Sequence, residues 1–268
     1  MLRHTRRRPP AHNSENQERG TVCGAAHSSK GHPILATRQP RRAFVCILGL
    51  ALYFTACGLG RANTANAGVY VALGASDAVG IGATRPAQDA WVPLLAAALP
   101  GGTPVVNLGV SGATLTEVIA GQLPIAADAA PRWLSLWVGP NDLRGGVALE
   151  TLTAQLDQIL ATLRPPAGTT RTMLILNLPD LRALPVFGGA DPAQLDRQVR
   201  AWNAAVAATV ARYADYAILV DLYDGWGELA ANPQYISGDG FHPSNAGYRR
   251  IADIALATLR TDDPTTFR

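Results

Sequence analysis

Five short runs rich in Val, Ile, Leu and aromatic residues recur between positions 69 and 222, each followed by a longer stretch, and this alternation most narrows the folds open to the chain. The runs are "VYVALG" at 69–74, "VVNLG" at 105–109, "WLSLWVG" at 133–139, "RTMLILNL" at 171–178 and "YAILVDL" at 216–222. Their near-continuous apolar character reads as buried strands, because strands covered by helices on both faces have no wet side to mark with polar residues. Helices are expected at 90–99, 115–123, 149–163, 192–213 and 245–259. In the third of these, Leu152, Leu156, Ile159, Leu160 and Leu163 recur at helical spacing and form one stripe to lay against a sheet. Strand and helix in alternation imply an α/β protein: a three-layer α/β/α sandwich around a mostly parallel, five-stranded sheet. No repeat or linker divides it, so 68–268 reads as one domain.

What precedes that domain has a different character. Residues 1–42 are Arg-, Pro- and Ser-rich without periodicity, and read as a disordered basic leader or as the product of a start codon placed too early. An uncharged apolar run follows "RQPRR", and "RANTANAG" then offers Ala65-Asn66-Ala67 as a small-x-small cleavage site, so 43–67 reads as a signal peptide. Three other readings share the same destination. "FTACG" around Cys57 resembles a weak lipoprotein box, "RRAFV" resembles a twin-arginine signal, and the run is just long enough to be an uncleaved membrane anchor. Each puts the domain outside the cytoplasm, secreted or attached to the cell envelope.

This division also corrects the net charge of +3. Ten of the 23 Lys and Arg residues, but only two of the 20 Asp and Glu, lie before Gly68, so the remainder is acidic, with 13 basic and 18 acidic residues. An acidic body lacks the electrostatic footprint that a nucleic-acid backbone requires. All three cysteines, Cys23, Cys46 and Cys57, also lie in the leader, which leaves the domain without thiol or disulfide chemistry. One histidine and no cysteine cannot supply a typical zinc site.

In an open parallel sheet, ligands bind beyond the carboxyl ends of the strands. After the first run comes "GASDAVGIG", which sets Ser76 at a strand-to-helix junction, as a nucleophile or merely a helix cap. After the second comes "NLGVSGAT", where Gly109 lets a backbone N–H approach a ligand, or simply makes a turn. After the third, "GPNDL" offers Asn141, whose amide is ordinary turn chemistry or a neutral donor for a developing oxyanion. "SGDGFHPSNAGY" at 237–248 holds His242, the sole histidine after position 32, three residues beyond Asp239. That pair can orient an imidazole to take a serine proton, or His242 can be a turn residue ahead of a helix capped by Ser244 or Asn245.

Taken in order, Gly-x-Ser, the second-block Gly, Gly-x-Asn-Asp and Asp-x-x-His resemble the SGNH hydrolases, also called GDSL-type esterases and lipases. The resemblance spans nearly all of 69–259. It implies a flavodoxin-like fold, Ser76 as nucleophile, His242 as base and Asp239 as its orienting acid. It further implies an oxyanion hole made by the Ser76 and Gly109 backbone N–H groups and the Asn141 amide, and a cofactor-free enzyme acting on esters. One departure stands out: the family pattern has Gly-Asp-Ser where this chain has Gly74-Ala75-Ser76, with Asp77 following.

The expected substrate is a small-molecule ester, of a lipid or lysophospholipid or of a small acyl group, and the expected state is a monomer. The loop at 179–192, with Leu181, Leu184, Val186 and Phe187, could line an acyl groove or simply pack down. Trp91, Trp133, Trp137, Trp202 and Trp226 could stack on sugars, as a carbohydrate O-acetylesterase would require, or fill the core. An acyltransferase using the same residues, or a catalytically silent binder of acylated glycans, stays open beside these.

Overall fold

In the computed structural model of the chain, which describes residues 68–267 other than Val138, the five runs form strands β1 (Tyr70–Gly74), β2 (Val105–Asn107), β3 (Trp133–Trp137), β4 (Thr172–Leu176) and β5 (Ala217–Val220). The basic leader, the apolar segment with its cleavage site and the three cysteines lie outside the described residues. Among the described residues no helix is long and apolar enough to cross a membrane.

The strands pair in the order β2-β1-β3-β4-β5, and every pairing is parallel. The chain leaves β1 in one direction to make β2, then crosses back to make β3 on the other side. This is the flavodoxin-like order, and its reversal opens a crevice at the carboxyl end of β1. The helices are α1 (Ser76–Val79), α2 (Pro86–Asp89), α3 (Trp91–Ala98), α4 (Leu115–Glu117), α5 (Leu123–Asp128), α6 (Pro140–Arg144), α7 (Leu149–Thr162), α8 (Pro192–Ala211), α9 (Leu222–Gly225) and α10 (Asn245–Asp262). Helices α3 and α10 pack together on one face of the sheet, while α5, α7 and α8 cover the other. The stripe on α7, with Leu163 just beyond it, is buried throughout, as its spacing predicts.

One expectation needs correction. The second run is not a buried strand: β2 forms the edge of the sheet, with Val105 39% and Val106 37% exposed. An apolar run records strand propensity, and its place in the strand order depends on partners distant in sequence. Of the two readings of the tryptophans, the core holds: none of the five is more than 4% exposed, and each belongs to the core.

Candidate active site

The serine turn is built around glycines that let backbones approach closely. A Cβ on Gly74, at the end of β1, would meet the Trp137 carbonyl oxygen at 2.7 Å. One on Gly109 would meet the Ala78 Cβ at 2.8 Å and the Ala75 oxygen at 3.1 Å, so the loop after β2 can lie on the turn only without a side chain there. Between them, the Ala75 carbonyl accepts from the Ala78 and Val79 N–H groups at 3.1 and 3.2 Å, which starts α1 with Ser76 as its first residue. Ser76 is 5% exposed, and its N–H has no partner among the described residues, as expected for the first amide of a helix.

The carboxylate absent at position 75 is not replaced by that of Asp77, which forms no hydrogen bond to another described residue; the Asp77 backbone carbonyl accepts from Trp91 Nε1 at 3.0 Å. The turn is held instead from a helix and from the end of β2. Buried Gln122 accepts from the Gly74 N–H and donates to the Gly74 carbonyl, both at 2.9 Å. Asn107 donates from Nδ2 to the Ala78 carbonyl at 2.6 Å. Gln122 reaches Gly74 from a π-helical turn, Val118–Gln122, inside the stretch expected to be plain helix; such widened turns recur at functional sites.

On the other side of the crevice, His242 Nε2 lies 2.9 Å from Ser76 Oγ and Nδ1 lies 2.6 Å from Asp239 Oδ2. Asp239 Oδ1 also accepts from Ser237 Oγ at 2.8 Å and from the Phe241 and His242 N–H groups at 2.9 Å each. That carboxylate therefore shapes the loop as well as the imidazole. The stretch expected to line an acyl groove clasps this loop: Val186 N–H donates to the Gly240 carbonyl at 3.2 Å, and the Phe187 and Phe241 rings pack 6.2 Å apart. Leu181 and Leu184 are buried beneath it, and Val186 is exposed. His242 does not cap α10; Ser244 does, accepting from the Gly247 N–H at 3.3 Å.

The two carboxylates near the imidazole sit in contrasting surroundings. Partial burial opposes ionisation of Asp239, but hydrogen bonds from His242, the two backbone amides and Ser237 outweigh it and hold its carboxyl well below the usual range. Burial dominates at Asp77 and pushes its carboxyl up to about 6, despite the opposing pull of His242.

The remaining expected residues sit on adjoining loops. Asn141, in α6, donates from Nδ2 to the Ala113 carbonyl at 3.0 Å, leaving its second amide hydrogen free. Its neighbour Asp142, 1% exposed, accepts the Leu115 N–H at 3.0 Å through Oδ1, while Oδ2 is unpartnered among the described residues. The Gly109 N–H donates to Asn107 Oδ1 at 3.0 Å. So the structure joins Ser76, His242 and Asp239 by hydrogen bonds, lays Gly109 on the serine turn, and ties Asn141 to the loop after β2. Gln122, Asn107 and Asp142 are the supporting residues that the sequence reading missed; a polar side chain on an otherwise apolar helix face, as at Gln122, was the available signal. Among the described residues no group of three or more His, Cys, Asp or Glu side chains is placed to hold a metal ion.

An imidazole held between a hydroxyl and a carboxylate can remove the hydroxyl proton while keeping its own charge compensated, and this is the chemistry of acyl transfer through a serine. The chain is 26% identical over 184 residues to the thioesterase 1/protease 1/lysophospholipase L1 of Escherichia coli strain K12, covering 69% of this chain and 80% of the relative. In fold it resembles the crystal structure of TesA (23% identity, TM-score 0.58, 72% of this chain and 98% of that one). It also resembles the acetylxylan esterase Axe2 of Geobacillus stearothermophilus (18% identity, TM-score 0.58, 72% and 94%). The family model for the GDSL-like lipases and acylhydrolases matches residues 72–250, from within β1 to within α10. With that match spanning most of the described fold, the chain belongs to the GDSL-like lipase/acylhydrolase family and is a carboxylic ester hydrolase.

Proposed function

We propose that this chain is an exported serine esterase that works through an acyl-enzyme on Ser76. The observation that carries the reading is the bridge of His242 between Ser76 Oγ at 2.9 Å and Asp239 Oδ2 at 2.6 Å. Ser76 Oγ attacks the ester carbonyl as His242 Nε2 takes its proton, and Asp239 steadies the resulting imidazolium. The oxyanion accepts from the Ser76 N–H and the free amide hydrogen of Asn141. Gly109 N–H joins them by sharing the hydrogen that it donates to Asn107 Oδ1 in the free enzyme. His242 then returns the proton to the leaving alcohol and activates the water that releases the acid. Export rests on the apolar segment and cleavage site at 43–67, and mass spectrometry of the mature N-terminus tests it: a start near Gly68 fits signal-peptide cleavage, and a lipid-modified Cys57 fits anchoring.

A preference for short acyl groups is part of the proposal. The cavity walled by Asp77, Trp137, Leu181, Leu184, Trp226 and Phe241, next in sequence to Ser76 and His242 but lined by neither, has a volume of about 20 Å³. That is room for about one water, so this space offers a long acyl chain no place. Hydrolysis of p-nitrophenyl esters from acetate to palmitate, by the wild type and by Ser76→Ala, tests the reading. Activity that peaks at short chains and vanishes in the variant supports it. A palmitate optimum rejects the short-acyl preference, and turnover surviving in Ser76→Ala rejects the nucleophile. If a hydroxyl acceptor diverts the acyl group from water, the enzyme is an acyltransferase on the same site; binding of acylated glycans without turnover marks the silent binder.

A further inference from the structure

Arg144 ends α6, three residues after Asn141, and its guanidinium carbon lies 5.8 Å from the centre of the Phe241 ring. Phe241 in turn stands edge-on to His242, with ring centres 4.8 Å apart. The cation thus spans the two loops that bear Asn141 and His242. It is no farther from the imidazole than these two separations laid end to end.

Half of the twelve described arginines are engaged by carboxylates. Arg85, Arg164, Arg182, Arg200, Arg212 and Arg250 each form an ion pair with Asp or Glu. Arg144 is exposed and has no acidic partner among the described residues, although acidic residues outnumber basic ones after position 67. Its guanidinium lies over the Phe241 ring, and its N–H groups bond no other described residue. A planar fork beside the ring, with its donors uncommitted, matches the two oxygens of a carboxylate or phosphate.

We propose that Arg144 forms a subsite at the mouth of the active site for an oxyanion carried by the substrate, a carboxylate or phosphate a few bonds removed from the ester carbon. This rests on the reading of Ser76 and His242 as the ester-hydrolysing pair. It narrows the substrate class to anionic esters and makes Arg144 a specificity-determining residue, with no part in the bond-breaking steps.

Two matched pairs of esters test it in the full chain. One pair is p-nitrophenyl acetate and the same ester with a ring carboxylate, 5-acetoxy-2-nitrobenzoate. The other is 1-hexanoylglycerol and its 3-phosphate. For each pair the quantity read is the ratio of kcat/KM, anionic over neutral, in wild type, Arg144→Gln and Arg144→Lys. Hydrogen bonds to charged groups lead us to expect Arg144→Gln to lower the ratio by about tenfold to hundredfold, mostly through KM. Arg144→Lys should fall between, because it keeps the charge and loses the fork. A ratio that falls in the carboxylate pair alone, or in the phosphate pair alone, supports the subsite and identifies its anion. A ratio unchanged within twofold in both pairs overturns the inference, as does a loss that strikes neutral and anionic esters equally in both variants, which would make Arg144 a brace for the loops. Failure of the wild type to hydrolyse any of the four esters would instead reject the esterase reading, and this inference with it.

Discussion

The serine turn and the histidine loop meet across 2.9 Å, yet they are held by different means. Ser76 follows a buried central strand, and its turn is fixed by Gln122 and Asn107, 48 and 29 positions away from the backbone groups they bind. His242 sits on a loop organised by Asp239, three residues before it, whose carboxylate binds that loop's own backbone and side chains, with one clasp from the 185–187 segment. Asp239 has 43% of its side chain exposed, whereas Ser76 is 5% exposed. The proposed nucleophile is thus positioned by the fold as a whole and the proposed base by its near neighbours in sequence. Damage to the supports of the first should appear as lost stability, and damage to those of the second as lost catalysis in a folded protein.

Substitution at the meeting point itself should have the largest effect. Ser76→Ala is expected to lower kcat by about 10⁴-fold or more with only a small change in melting temperature; a large thermal loss would show that Oγ also holds the fold. Next, Asp239→Ala and Asp239→Asn should each cost on the order of 10³ to 10⁴ in kcat. Only the alanine variant should speed hydrogen exchange at the Phe241 and His242 amides, because asparagine keeps an oxygen for them. Equal exchange in the two variants would mean that the 185–187 clasp, and not Asp239, holds the loop.

Asn141→Ala should lower kcat by about 10² to 10³ if the amide serves the oxyanion. Unchanged turnover would reduce it to the link with Ala113. Gln122→Ala removes the side-chain partner of the Gly74 N–H, while the Gly74 carbonyl keeps the Val110 N–H at 3.1 Å, and should cost about 1–3 kcal/mol of stability, read as a lowered denaturation midpoint. If activity collapsed while stability held, the contrast drawn above would break on the serine side.

The smallest effect is expected at Asp77. Its folded pKa of about 6 lies above its unfolded value, so the folded state carries a desolvation cost that is present above pH 6 and relieved as pH falls through 6 toward 4. Asp77→Asn should therefore raise the melting temperature at pH 8 and change it little at pH 4. A melting temperature unchanged at pH 8, or raised equally at pH 4, would contradict this sign.

Much of this was legible in the sequence because its signals are local. Continuous apolar runs marked all five strands, and the periodicity of 149–163 marked the buried stripe of α7. Gly-x-Ser, Gly-x-Asn-Asp and Asp-x-x-His lay where a parallel sheet collects its ligands. The edge position of β2 and the hold of Gln122 and Asn107 on the serine turn were not legible. Each depends on which segments become neighbours after folding.

The sequence by itself determined the α/β class, the choice of Ser76, Asp239 and His242 as the candidate residues, and the internal logic of the Asp239–His242 loop, since these follow from residue type and short-range spacing. Tertiary structure alone decided that Gln122 and Asn107 would hold the turn where Ala75 offers no carboxylate, and that the Asp77 carboxylate would be buried with no hydrogen bond from another described residue. It also decided that Arg144 would lie over Phe241 with its donors free. Hydrogen bonding and burial at these positions join residues tens of positions apart, and chain connectivity does not set such contacts until the sheet has ordered its strands.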